Sequence, residues 1–233
     1  MRFRAVLFDA GETIVHPAPS FPELFASVVS REGYTREPAD IVNASRVVLH
    51  RFSEAARDND LWTTSPERSR RFWTGVYDGM LEELDLPDGD GLRDTLYGAF
   101  TDMGNYVLFD DVEPMLESLG STDLTLGIVS NFEAWLEDLL DLLGVRDSFP
   151  VRVVSGLVGI EKPDPRIYEL ALERAGVAAA DAVFVGDNPE FDVVPPRSLG
   201  MFTVLVDRRG RHEGHDGVRI TDMSELPSLL EAS

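Results

Sequence analysis

Three apolar stretches of this chain end in polar side chains suited to phosphate chemistry. "VLFDAGET" ends in Asp9, "GIVSNFE" in Ser130 and "VFVGDNPEFD" in Asp187. Downstream of the second, "GIEKPDPRIY" carries Lys162, the single lysine among 21 basic residues. Lysine is a compact point charge on a flexible stem, whereas arginine is a wide planar fork. A small pocket needing one positive charge beside carboxylates and a phosphate accepts only the first, although drift in a GC-biased coding sequence accounts for a lone lysine equally well. Singly, each residue has a plain alternative: an Asp or Asn after a strand commonly caps the following helix. That reading applies to Asn131 and Asn188 as well.

The elements that must position these residues are legible in the apolar runs. "FRAVLF" (3–8), "LTLGIVS" (124–130), "VRVVS" (151–155), "AVFVG" (182–186) and "FTVLV" (202–206) read as strands. Helix-like segments at 110–120, 132–144, 164–176, 189–200 and 224–232 lie between and after them. Alternation with strands apolar on both faces predicts an α/β fold with a parallel, Rossmann-like sheet covered on both sides. In such sheets ligands bind beyond the carboxyl ends of the strands, where strand order reverses, so Asp9, Ser130 and Asp187 are expected to share one crevice. Between the first strand and residue 110 no strand signal occurs. Helices are predicted near 20–32, 38–58, 66–85 and 91–104, a stretch too long to be a loop in a compact domain. The expected organisation is a core of residues 1–15 and 106–233 with a helical subdomain, 16–105, inserted through linkers near 15–19 and 104–110.

Composition narrows the function. With 233 residues and 43% hydrophobic content the chain can bury a substantial core. It has no cysteine and four histidines, so a metal site must rest on oxygen or imidazole. A net charge of −21 argues against nucleic acid and against anionic membranes as partners. No run reaches the roughly 18 apolar residues of a membrane span. The initial "MRFRAVLF" is too short for a signal peptide and is ended by Asp9, so a cytoplasmic protein is expected. Scarce lysine with abundant acid fits a high-salt habitat and a base-composition bias alike.

Taken together, "FDAGETIV", "VSN", the lysine of "EKPDP" and "GDNPEFD" resemble, in order, spacing and strand placement, the four motifs of the haloacid dehalogenase (HAD) superfamily. The helical insertion falls where that superfamily often carries its cap. The resemblance implies Asp9 as a nucleophile that forms an aspartyl-phosphate. It implies Mg²⁺ held by Asp9, Asp187 and the Gly11 carbonyl, with Asp192 holding metal-bound water or the lysine. Ser130 and the Asn131 amide would bind the phosphoryl group of a small phosphorylated substrate, and Lys162 would neutralise its charge.

One position departs from the pattern. Superfamily phosphatases usually carry a second aspartate two residues after the nucleophile, which protonates the leaving group; here Gly11 stands there. General acid–base help is worth about 10²–10⁴-fold. Glu12 is next in sequence but, in extended chain, faces the other way. His16 reads as a linker residue. Three functions stay open: a Mg²⁺-dependent phosphohydrolase, favoured here; a non-catalytic module binding a phosphorylated ligand or partner; and a dehalogenase-type hydrolase. The last shares the missing aspartate but needs no metal at carbon. Substrate choice would fall to the cap, where "ERSRRFW" (67–73) offers Arg68, Arg70, Arg71 and Trp73, or else a solvated basic face over an aromatic core. "DRRGRHEGHDG" (207–217) reads as an exposed loop, with too few ligands in His212 and His215 for zinc.

Overall fold

The computed structural model describes residues 2–58, 60–87 and 91–232. Six strands form one parallel sheet in the order β5-β4-β1-β6-β7-β8. They are β1 (Ala5–Phe8), β4 (Thr125–Ser130), β5 (Val151–Val154), β6 (Ala182–Gly186), β7 (Phe202–Val206) and β8 (Val218–Ile220). A second, two-stranded sheet pairs β2 (Val15–Pro17) with β3 (Tyr106–Leu108). Every residue of β1 and β6 is buried, as the unbroken apolar runs require of strands covered on both faces.

After β4 and β5 on one side of β1 the chain crosses to β6, β7 and β8 on the other. This reversal places the switch point at the carboxyl ends of β1, β4 and β6. On one face the core packs Leu7, Val129, Val153, Ile167, Tyr168 and Phe184 together.

The chain divides into two compact units: residues 1–15 with 108–233, and residues 16–107. The second is helical, with helices Phe21–Arg31, Pro38–Ala44, Arg46–Asp58, Pro66–Glu83 and Leu92–Thr101. Its core joins Leu24, Phe25, Val28, Tyr77, Met80 and Leu96. Two of its helices begin in Ser-Pro or Ser-Phe-Pro, and Ser20 and Ser65 each accept a backbone N–H of the first turn.

Several elements differ from the sequence expectation. Residues 38–58 form two helices rather than one, because Ser45 turns its hydroxyl back to the Val42 carbonyl at 2.7 Å. The helix expected over 132–144 is confined to Leu136–Leu142. Over 189–200 a π turn, Pro189–Val193, precedes a short helix, Val194–Ser198, whose Pro195 and Pro196 lack the N–H groups of a regular ladder. The three-residue strands β2, β3 and β8 are too short to leave a periodic signal. Among the described residues no helix is long and apolar enough to cross a membrane.

Candidate active site

Asp9 follows β1 directly and is 7% exposed. Ser130, the last residue of the adjacent β4, donates its hydroxyl to Asp9 Oδ1 at 2.9 Å. Lys162 arrives from the loop after β5, and its ammonium donates to Asp9 Oδ1 at 2.6 Å and to Asp192 Oδ1 at 2.7 Å. Its side chain is 3% exposed. The backbone of that loop is fixed by Asn131: the Asn131 amide donates to the Lys162 carbonyl at 2.8 Å, and the Lys162 N–H donates back to Asn131 Oδ1 at 2.7 Å. The side chain of Asn131 is thus a clamp on the lysine, a role that neither its type nor its place after a strand discloses.

Asp187 and Asp192 complete the cluster from β6 and its π turn. Asp9, Asp187 and Asp192 each present an oxygen, all within 4.8 Å of one another. Burial alone would lower the Lys162 ammonium, but Asp192 and Asp9 outweigh it and hold the lysine above its ordinary value, protonated throughout the physiological range. Desolvation, with Asp192, Asp9 and Glu12 nearby, pushes Asp187 well above the ordinary carboxylate range. Asp192 is raised as well, its burial outweighing the pull of Lys162. With all three ionised, the carboxylates would exceed the one ammonium by two negative charges, and the raised pKa values of Asp187 and Asp192 register that unmet demand for a cation. Hard oxygen donors with that excess fit a divalent cation.

Gly186 is what lets Asp192 lie there. A Cβ at Gly186 would fall 2.4 Å from Asp192 Oδ2 and 2.6 Å from its Cβ, so only glycine allows the carboxylate to rest over the end of β6. Asp192 Oδ2 then accepts the Asn188 N–H at 3.0 Å.

The segment after Asp9 corrects the expectation for Glu12. It is a tight turn, in which Ile14 and Val15 both donate to the Ala10 carbonyl, and not an extended chain. Glu12 takes the left-handed conformation, φ 58°, so the alternation argument does not apply to it. Its carboxylate accepts from Arg209 Nη2 at 2.6 Å and is near enough to be felt by Asp187. Gly11 has no positive φ, and a Cβ built on it meets only Phe132 Cε2, at 4.0 Å.

Comparison with known proteins accords with this arrangement. Residues 3–200 match the haloacid dehalogenase-like hydrolase family. The chain belongs to that family. It is 30% identical to a haloacid dehalogenase-like hydrolase domain-containing protein 3 of Danio rerio, over 98% of this chain and 96% of the relative. It is 34% identical to a phosphoserine phosphatase of Thermus thermophilus, over 96% and 90%. Among solved structures, a 2-haloacid dehalogenase of Pseudomonas syringae superposes with a TM-score of 0.63 at 25% identity, covering 99% of both chains.

Other candidates in this HAD-like hydrolase are engaged locally. His16 lies half-buried in β2, its Nδ1 2.8 Å from the Pro17 carbonyl. Phe72 and Trp73 pack with Phe52 and Trp62, with 4.5 Å between the Trp62 and Phe72 centroids. Arg68 reaches the Leu61 carbonyl, Arg70 pairs with Asp94 over the Tyr97 ring, and Arg71 pairs with Asp60. Among the described residues, His212 and His215 belong to no group of three or more metal-ligating side chains.

The loop 207–217 nevertheless contains structure that sequence reading passed over. Asp207, 3% exposed, accepts the N–H groups of Arg211 and His212 and pairs with Arg219. Arg208 grips Asp111 with both Nη atoms and donates to the Thr13 carbonyl. Asp207 stands at a strand end like Asp9 and Asp187, a signal that could have marked it.

Proposed function

We propose that this hydrolase is a Mg²⁺-dependent phosphohydrolase acting on a small phosphorylated metabolite through an aspartyl-phosphate on Asp9. The observation that carries the reading is the convergence of the Asp9, Asp187 and Asp192 carboxylates with the Lys162 ammonium at the switch point of the sheet. Asp9, Asp187 and the Gly11 carbonyl would hold the ion, which when bound supplies charge neutralisation at the phosphoryl oxygens. Asp192 would act on the lysine, to which it is bonded.

In the first step an Asp9 carboxylate oxygen attacks phosphorus and the bond to the leaving oxygen breaks. Lys162 and the Ser130 hydroxyl, both already against Asp9, stabilise the charge on the transferring group. With glycine at position 11 the leaving oxyanion takes its proton from solvent. Water then attacks phosphorus, the Asp9–phosphoryl bond breaks, and the carboxylate is restored with release of phosphate. The helical unit 16–107 would serve as the cap that selects substrate.

The phosphoserine phosphatase relative supports phosphate ester chemistry. Gly11 favours a second reading, a module that binds a phosphorylated ligand without turning it over. A dehalogenase would share the missing second aspartate but has no use for the acidic cluster. Acetyl phosphate and aryl phosphates separate these: turnover abolished by chelator and restored by Mg²⁺, but not by the larger, more loosely coordinated Ca²⁺, is expected. Hydrolysis of a haloacid indifferent to chelator would replace this reading with the dehalogenase. Phosphate binding without aspartyl-phosphate formation would replace it with the binding module.

A further inference from the structure

Gly11 has an aromatic neighbour. β1 and β4 are parallel neighbours, with Phe8 beside Ile128, so the segments leaving them run side by side. Ser130 touches Asp9, and two residues further along each segment Phe132 faces Gly11, its Cε2 4.0 Å from where a Cβ would stand. Phe132 is partly exposed, unlike the fully buried rings of the core. Its backbone is held on both sides by one hydroxyl: the Phe132 N–H donates to Ser155 Oγ at 2.9 Å, and Ser155 Oγ donates to the Phe132 carbonyl at 3.1 Å. Trp135 lies against the ring edge-on, 4.7 Å between centroids.

We infer that Phe132 selects the leaving group, and that aryl phosphate monoesters are the substrate class this site prefers, their ring lying against the exposed part of Phe132 beside Gly11. This rests on the phosphohydrolase reading above. Two separate features converge on it. Without an acid at position 11 the leaving group must depart as a stable anion, which an aryloxide is and an alkoxide is not. The wall beside that position is an immobilised ring, which offers stacking or edge contacts to a flat apolar group and no hydrogen bond to a sugar or polyol.

The test compares phenyl phosphate with acetyl phosphate, which has no ring, in the parent and in Phe132→Ala and Phe132→Leu, with Mg²⁺ present. Binding of the unreactive benzylphosphonate and methylphosphonate is measured alongside. The ratio of kcat/KM for phenyl over acetyl phosphate should fall about tenfold on loss of the ring, and the preference for benzylphosphonate over methylphosphonate should fall with it. Phe132→Leu, which keeps apolar bulk, should lose most of the same preference. Equal losses on both esters in folded variants would make Phe132 structural and overturn the inference. So would a parent that binds benzylphosphonate no more tightly than methylphosphonate, a result that requires no variant to fold. A parent that hydrolyses neither ester yet binds benzylphosphonate through Phe132 overturns hydrolysis and leaves ring recognition standing. Turnover of acetyl phosphate with an unmoved ratio does the reverse.

Discussion

Gly11 is the residue at which the proposed turnover is most open to test. Its backbone needs no positive φ, and a Cβ there would meet Phe132 at an ordinary contact distance of 4.0 Å, so Gly11→Asp should fold. An acid there relieves the poorest leaving groups most. Alkyl phosphate hydrolysis should rise by up to about 10²–10⁴-fold, and aryl phosphate hydrolysis by much less; a folded variant with no gain on any ester would show that the missing acid is not what limits the site. Lys162 supports a second prediction. Its ammonium fills a buried slot between Asp9 and Asp192, too narrow for a guanidinium. Lys162→Arg should lower kcat nearly as far as Lys162→Ala, and an active arginine variant would return the lone lysine to compositional drift. The convergence of Asp9, Ser130 and Asp187 was legible because residue type and strand-end placement coincide; Lys162 stood out as the single lysine, and Asp192 only through the family resemblance. The Asn131 clamp and the Glu12–Arg209 pair were not legible, since both depend on contacts between segments far apart in sequence.

At the level of elements, β6 and the turn after it carry the most constraint. Gly186→Ala would drive a methyl group into Asp192. The expected cost is about 1–3 kcal/mol of stability, together with loss of the Asp192 contact to Lys162. Thermal unfolding and Mg²⁺ titration of this variant should both move; wild-type Mg²⁺ affinity would show that the turn can shift without disturbing the cluster. The strands were legible from their apolar runs and the central helices from their periodicity. The helix expected to begin at 132 was not separable from the loop before it by pattern alone. Phe132 gives its N–H to Ser155 rather than to a helical partner, so the element starts only at Leu136. Likewise the π turn at 189–193 answers to Asp192 being needed over β6, which no local propensity encodes.

For the whole molecule, the acidic cluster couples folding to pH and, on the proposed reading, to metal. Asp187 and Asp192 hold protons in the folded chain at pH values where the unfolded chain has released them. Their contribution to stability is therefore present at acidic pH and lost as pH rises through their raised pKa values. Metal-free protein should lose this part of its stability as pH rises from about 4, the unfolded carboxylate value, through about 6 for Asp192, and further as Asp187 gives up its proton. Mg²⁺ competes with those protons, so the rise in Tm on saturating Mg²⁺ should be larger at the alkaline end. A Mg²⁺ effect that shrinks as pH rises would rule the cluster out as the metal site. The inserted unit has a consequence of another kind, for the order in which the ribosome delivers the parts. β1, at the centre of the sheet, is made before the inserted unit, yet its neighbours β4 and β6 begin only at Thr125 and Ala182. The helical unit is complete by residue 107, and can close around local contacts while β1 still lacks both partners. Asp9 thus exists long before Asp187 and Asp192, and no nascent chain that stops short of Asp192 can assemble the charge cluster.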